Sequence, residues 1–240
     1  MDLYSAIFTR KSCRKYDRTS LGTETIEQIE SFIFGLRPLL PNSEITYKIV
    51  GPEGVKGMAI PKAPHYLLIS GKDQPLRNTY AGFLFQHVEL YLCSMGFAAC
   101  WNASLKGKQN SPDNIMGFAF GKPAESGIRK PQEFKRKSMR EIAAGTDPRL
   151  EAVRLAPSGR NEQPWYFIVE GGAIHVYYMK SIGGLLGMVY HFTDFDVGIA
   201  LCHLAVASHK EGKPFSFSVG RKDTPIPPKG FTYIGTVEGD

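Results

Sequence analysis

Leu155-Ala156-Pro157-Ser158-Gly159-Arg160-Asn161-Glu162-Gln163-Pro164-Trp165-Tyr166-Phe167-Ile168-Val169 is the stretch on which the fold turns. Set against Leu36-Arg37-Pro38-Leu39-Leu40-Pro41-Asn42-Ser43-Glu44-Ile45-Thr46-Tyr47-Lys48-Ile49-Val50, it coincides without a gap at Leu, Pro, Asn, Tyr, Ile and Val. All six are displaced by 119 positions. Working outward, Gly82–Gly96 and Gly198–Gly212 bracket apolar stretches of equal length, displaced by 116. Phe8-Thr9-Arg10-Lys11-Ser12-Cys13-Arg14 matches Phe134-Lys135-Arg136-Lys137-Ser138-Met139-Arg140, displaced by 126. Three matches in one order with similar displacements are the mark of an internal repeat. The chain divides into repeat one (1–130) and repeat two (131–240), together one compact unit.

Each repeat reads the same way. A short helix or turn carries RKSxR, and a helix follows (Thr25–Leu36; Asp147–Leu155). A strand comes next (Thr46–Val50; Trp165–Val169), then a β-rich run (His65–Ser70; Ala173–Met179). A long helix lies within each glycine-bracketed stretch, with Leu84, Val88, Tyr91, Leu92 and Met95 at helical spacing in the first. A final strand pair closes each repeat. The Gly/Pro stretches Gly51–Pro64 and Gly220–Gly230 read as surface loops. Helices and strands in mixed order, without regular βαβ alternation, predict an α+β fold.

Bulk properties narrow the function. At 240 residues, 42% hydrophobic and 22% charged, the chain can bury a sizeable core and has the balance of a soluble globular protein. No apolar run approaches the roughly 20 residues that cross a bilayer. The N-terminus carries an early Asp2 and no apolar export core. Four cysteines without a CxxC pair read as buried or free thiols of a reducing compartment, which predicts a cytoplasmic protein. Six scattered histidines without HExxH predict no bound metal. The net charge of +6 suggests an anionic ligand. With no nucleic-acid signature present, a phosphate-bearing small molecule explains it better than DNA or RNA.

Two clusters carry chemistry. Arg10-Lys11-Ser12 with Arg14 groups three cations and a hydroxyl in five residues, the donor set that a phosphate dianion needs. A solvated basic face would have the same composition. Pro157, Ser158, Gly159 and Asn161 form a loop of turn formers between a helix and a buried strand, able to approach a flat heterocycle closely. A helix C-cap with a tight turn accounts for the Pro and Gly equally well. Cys13 and the aromatic run Tyr190-His191-Phe192 through Phe195 read more simply as an inert thiol and as helix entry with core.

At these clusters the sequence resembles the nitroreductase family. RKSCRKY resembles the family's RRSxRxF, and APSGRNEQPWYFIV its APSxxNxQPWxFxV. Gly96–Trp101 is similar to GLGxCW, and Gly117–Pro123 to the strand ending in G[YK]P. The resemblance runs from about residue 4 to about residue 170. It implies an α+β fold binding FMN across a dimer interface, with NAD(P)H as transient hydride donor and a small planar electron acceptor such as a nitroaromatic or quinone. Carried over, Arg10, Lys11, Ser12 and Arg14 grip the ribityl phosphate, and Pro157, Ser158, Gly159 and Asn161 lie along the flavin. A backbone amide within Asn102, Ala103, Ser104 and Leu105 faces flavin N5, and a basic segment, Arg136 with Lys137, also reaches the phosphate.

This chain departs from the family pattern in an informative way. Repeat one keeps the arm but has a degraded loop, Pro38–Asn42, whereas repeat two has the good loop. The chain thus resembles the family's dimer fused into one polypeptide, an intrachain pseudo-dimer with one competent FMN site in the groove between the copies. A monomer with pseudo-twofold symmetry would suffice, and further dimerisation is left open. The second site, Arg136, Ser138 and Arg140 with Pro38–Asn42, is the poorer. No acid or base is grouped in the motifs, so flavin N5 is expected to do the chemistry without an obligatory side-chain catalyst. The rival reading is a flavin or nucleotide binder without turnover.

Overall fold

The computed structural model describes residues 2–41, 43–109, 111–180, 182–183 and 189–238. The chain forms two compact units. One comprises Met1–Arg37, Asn42–Arg77 and His87–Glu133, the other Pro38–Pro41, Asn78–Gln86 and Phe134–Asp240. Neither unit is a continuous stretch of sequence, because the short segments 38–41 and 78–86 group with the later part of the chain.

In the first unit, helix α1 (Leu3–Ile7) is capped by Asp2, whose carboxylate accepts from Ser5 N at 3.0 Å. Helix α2 (Thr23–Phe34) buries Ile29 and stacks Phe32 on Tyr91, centroids 4.1 Å apart. Strands β1 (Ile45–Val50), β3 (His65–Gly71), β4 (Ala98–Asn102) and β6 (Asn114–Gly121) make an antiparallel sheet of order β1-β3-β6-β4. The inner strands β3 and β6 are almost wholly buried, which is why they read as apolar runs rather than alternating ones. The short strand β2 (Val55–Lys56), inside the Gly51–Pro64 stretch expected to be only a loop, pairs with β5 (Lys106–Gly107). Helix α3 (Arg77–Ser94) contributes residues 87–94 to this unit.

In the second unit, β7 (Ala143–Ala144) pairs parallel with β8 (Trp165–Glu170), which pairs antiparallel with β9 (Ala173–Met179). The small pair β10 (Ile182–Gly183) and β11 (Val189–Tyr190) stands apart. Strands β12 (Ser216–Ser218) and β13 (Phe231–Glu238) complete a sheet of order β12-β13-β9-β8-β7. Trp165, Phe167, Ile174, Val176 and Val237 are buried in its core. Helices α4 (Met139–Ile142), α5 (Leu150–Arg154) and α6 (Thr193–Lys210) accompany it. Among the described residues, no helix is long and apolar enough to cross a membrane.

The second unit is organised around the crossing of α6 with residues 78–86 of α3. Gly82 faces the carbonyl of Phe195, and Gly198 faces the carbonyl of Thr79; a Cβ at either glycine would collide with that carbonyl. Thr79 Oγ1 donates to Asp194 O at 3.1 Å, and Asn78 Nδ2 donates to the Asp194 carboxylate at 3.1 Å. Deeper in, His203 links the two helices to α5, with Nε2 3.3 Å from Gln86 Nε2 and Nδ1 2.9 Å from Ala152 O. Nearly every side chain of α6 is buried, so the helix carries no amphipathic stripe.

This crossing corrects the reading of the glycines. Gly82 and Gly198 are not helix starts but interior residues, since α3 begins at Arg77 and α6 at Thr193. Both tolerate the entropic cost of mid-helix glycine because only a residue without Cβ permits so close an approach. Helix α5 starts later than expected, at Leu150, because the Asp147 carboxylate accepts from Arg149 N and its guanidinium, making residues 147–149 a capping turn. The RKSxR motifs also diverge in conformation. Ser138 opens α4 through a capping box with Glu141, whereas Arg10–Arg14 is extended.

Gly198→Ala and Gly82→Ala should each lower stability by about 1–3 kcal/mol or more, the range for overpacking a filled interior. Urea denaturation followed by circular dichroism measures it. A neutral effect at both positions would mean that the helices do not meet through these glycines.

Candidate functional site

In the first unit the arm is pinned as a ribbon. Arg10 bridges to Ile128 in antiparallel fashion, Ser12 to Ala99 in parallel, and Tyr16 to Pro123. Arg129 N donates to Thr9 O at 2.8 Å, and Cys13 N to Ala99 O at 3.1 Å. These backbone bonds decide which side chains face inward. Arg10 is 1% exposed, Ser12 is half-buried, and Lys11 and Arg14 stand in solvent. Lys11 Nζ reaches only Ser126 O, at 3.5 Å. Cys13 donates its thiol to Lys15 O at 3.0 Å, consistent with an inert role.

The Arg10 guanidinium is already committed. It lies 3.0 Å from Glu89 Oε1 through Nη2 and 3.1 Å through Nε, and Nη2 also donates to Ser12 Oγ at 3.0 Å. Glu89 is 2% exposed, and its Oε2 makes no hydrogen bond. Arg129 adds a second guanidinium. Burial first, and then the charge of Arg10, hold it below the usual guanidinium range. Glu133 as well as Glu89 acts on Arg129, so two carboxylates answer the two guanidiniums, and the exposed Lys11 and Arg14 add the cationic excess. Such a cluster is suited to an anion.

The turn after β4 is also closely bonded. Asn102 Oδ1 accepts from Ser104 N at 2.9 Å and from Ser104 Oγ at 2.7 Å. Ser104 Oγ is held in addition to Met58, and Asn102 Nδ2 donates to Ala59 O at 3.2 Å. Leu105 N donates to Asn102 O. The Ser104 and Leu105 amides are thus spent within the turn, and Ala103 just before them is exposed.

In the second unit the Pro157–Gln163 loop takes an unusual backbone. Arg160 (φ 53°), Asn161 (φ 62°) and Gln163 (φ 47°) are all left-handed. Asn tolerates this region, but for Arg and Gln it costs about 1 kcal/mol or more each and persists only where the surroundings enforce it. The enforcement is visible. Ser158 Oγ accepts from Gln163 N at 2.9 Å, and Gly159 N is 3.1 Å from both oxygens of Asp196. Arg136 donates to Asn161 Oδ1 at 2.6 Å and to Leu155 O at 3.2 Å. Asn161 Nδ2 returns a bond to Lys135 O at 2.8 Å, and Lys137 N donates to Gln163 Oε1 at 2.9 Å.

The structure therefore places Arg10, Ser12 and Arg14 with the 102–105 turn in one unit, and Pro157, Ser158, Gly159 and Asn161 with Arg136 and Lys137 in the other. Of the degraded loop, Pro38–Pro41 belongs to the second unit and Asn42 lies outside the described residues. Phe195 is buried and Phe192 leads into α6, as helix entry and core require. The side chain of Tyr190 lies outside the described residues. Three residues with clear roles were not singled out from sequence: Glu89, Arg129 and Asp196. Glu89 is the lone carboxylate in α3, an anomaly in an apolar helix that could have pointed to a buried partner.

The buried pair yields a direct expectation. Arg10→Met or Glu89→Leu alone should cost about 3–5 kcal/mol, by leaving an uncompensated buried charge. The double variant should recover most of that loss in urea denaturation. Additive losses would show that the two side chains do not depend on each other.

Residues 2–208 match the family model described as "Putative TM nitroreductase". A crystal structure from Thermotoga maritima described as a putative nitroreductase superposes with a TM-score of 0.70 at 19% identity, covering 100% of this chain and 94% of that one. A nitroreductase family protein from Clostridium difficile 630 matches with a TM-score of 0.51 at 14% identity, over 61% of this chain and 100% of that one. No curated protein matches the sequence. With the family model spanning most of its length, and the fold shared with these structures, the chain belongs to the nitroreductase family.

Proposed function

We propose that the protein is an FMN-dependent oxidoreductase that passes hydride or electrons from NAD(P)H to a small planar acceptor such as a nitroaromatic or quinone. The observation that carries this reading is that a nitroreductase-family chain holds both a cation-rich arm, Arg10–Arg14, and a loop strained into a fixed shape. The first suits a phosphate and the second suits a flat ring.

When bound, FMN supplies the hydride chemistry at its N5, and the protein supplies orientation and charge. Ser12, Arg14 and Arg129 hold the phosphate, each charge-assisted bond contributing roughly 1.5–3 kcal/mol. Arg10 organises that cluster from beneath through Glu89 and Ser12. An amide of the Asn102–Leu105 turn would face the reactive edge of the ring, and Pro157, Ser158, Gly159 and Asn161 would lie along it, as the family resemblance implies. Arg136 and Lys137 act on that loop, where their bonds are made, rather than on the phosphate.

The reading includes an internal duplication. It is supported by the helix crossing, where the contact of Gly82 with Phe195 O and that of Gly198 with Thr79 O exchange under a single displacement of 116 positions. Asn78 and Asp194, bonded to each other, are related by the same displacement. Reciprocal contacts of this kind are the signature of a twofold arrangement.

Because one copy's loop is degraded, the expected stoichiometry is one FMN per chain. Titration with FMN followed by visible absorption checks this, and a ratio near two would contradict the asymmetric site. Arg129→Ala and Arg14→Ala should weaken FMN binding by roughly tenfold each while leaving riboflavin affinity nearly unchanged. Anaerobic NADH or NADPH should bleach the bound flavin, and a nitroaromatic or quinone should restore its colour. A flavin that stays oxidised would make the protein a binder, and a preparation that takes up no FMN would end the flavin reading.

A further inference from the structure

We propose that Asp196 is a positioning residue that holds the Ser158–Gln163 loop in the shape required for the flavin ring, an inference that rests on the flavin reading above. Asp196 sits in the first turn of α6 and is 2% exposed. Both carboxylate oxygens lie 3.1 Å from the amide of Gly159, so the charge is directed at a loop backbone group rather than at solvent. The amide it holds immediately precedes the left-handed pair Arg160 and Asn161.

The other restraints tie the loop to itself and to the 135–137 segment. Ser158 Oγ ties back Gln163 N, Arg136 and Lys135 fix Asn161, and Lys137 fixes Gln163. The Asp196 bond anchors the entrance of the loop to a long helix, and that helix is itself locked by the glycine crossing. A buried carboxylate is tolerated at this position because the amino end of α6 presents positive potential. The helix stabilises the charge, and the charge orders the loop.

Asp194 provides an internal control. It occupies the same helix turn and carries a carboxylate as well, and its bonds include those to Asn78 Nδ2 and Phe195 N. A role confined to the helix terminus would make the two aspartates equivalent.

The test compares D196N, which is nearly isosteric, with D194N and with D196E, which keeps the carboxylate. Hydrogen–deuterium exchange of the Gly159–Gln163 amides is read without flavin, and FMN and riboflavin affinities are measured by fluorescence quenching. D196N is expected to speed loop exchange by about tenfold and to weaken FMN and riboflavin by the same factor, on the order of tenfold, because the ring and not the phosphate loses its support. D194N should leave the loop protected, and D196E should restore part of the protection if D196N proves poorly folded. Unchanged loop exchange in D196N overturns the proposal. Faster exchange with unchanged flavin affinity, an equal effect in D194N, or a loss confined to FMN does the same. Failure of the wild-type protein to bind either flavin removes the flavin reading itself, a result distinct from any change in the variant.

Discussion

The close approach of α3 and α6 through two glycines is the constraint from which the second unit is built. The carbonyls of Phe195 and Thr79 already occupy the space that a Cβ at Gly82 or Gly198 would take, and this close seating of backbone on backbone holds the start of α6 against α3. That starting point carries Thr193, Asp194 and Asp196, and through Asp196 it reaches the loop that precedes β8. A contact between two backbones thus determines where a carboxylate sits and what it can bond. Further along α3, in the first unit, Glu89 plays a comparable part for Arg10. One helix supplies an apolar packing surface along one part of its length and a buried charge along another.

Both candidate regions follow one physical logic. A group that faces the ligand is rarely left to find its own position. Arg10 gives its donors to Glu89 and Ser12 and so fixes the hydroxyl beside the exposed cations. In the loop, two of the left-handed residues are bonded by side chains from the 135–137 segment, Asn161 by Arg136 and Gln163 by Lys137. The strain in Arg160 and Gln163 is stable only because these bonds leave no easier conformation. Such preorganisation lowers the ordering cost when a rigid planar ligand arrives.

Much of this was legible in the chain. The strands Thr46–Val50, His65–Ser70, Trp165–Val169 and Ala173–Met179 are found within one residue of the lengths expected, because β-branched and aromatic runs bounded by Gly and Pro leave little choice. The loop was recognisable from Pro157, Ser158, Gly159 and Asn161. Its true conformation was not, since Arg160 and Gln163 are poor formers of left-handed backbone and adopt it under tertiary constraint. The helix starts were misplaced because glycine marks both termini and close packing, and only the partner helix distinguishes the two. Arg129 was invisible for another reason. It lies more than a hundred residues from Thr9, and only backbone pairing brings them together. The units likewise interleave segments of the chain, which no linear division at residue 130 could express.

The pairing of Asn78 with Asp194 has a meaning beyond its hydrogen bond. On a twofold axis, a residue in a dimer of identical chains must meet its own copy. An aspartate there would face an aspartate, and an asparagine an asparagine. A donor opposite an acceptor, with one charge instead of two, is available only once the two positions are encoded separately. On the duplication proposed here, joining the copies into one polypeptide released that position from self-complementarity. On the same proposal, that freedom would let one loop decay while the other was kept, giving the asymmetry at Asn78 and Asp194 and that of the two loops a common origin.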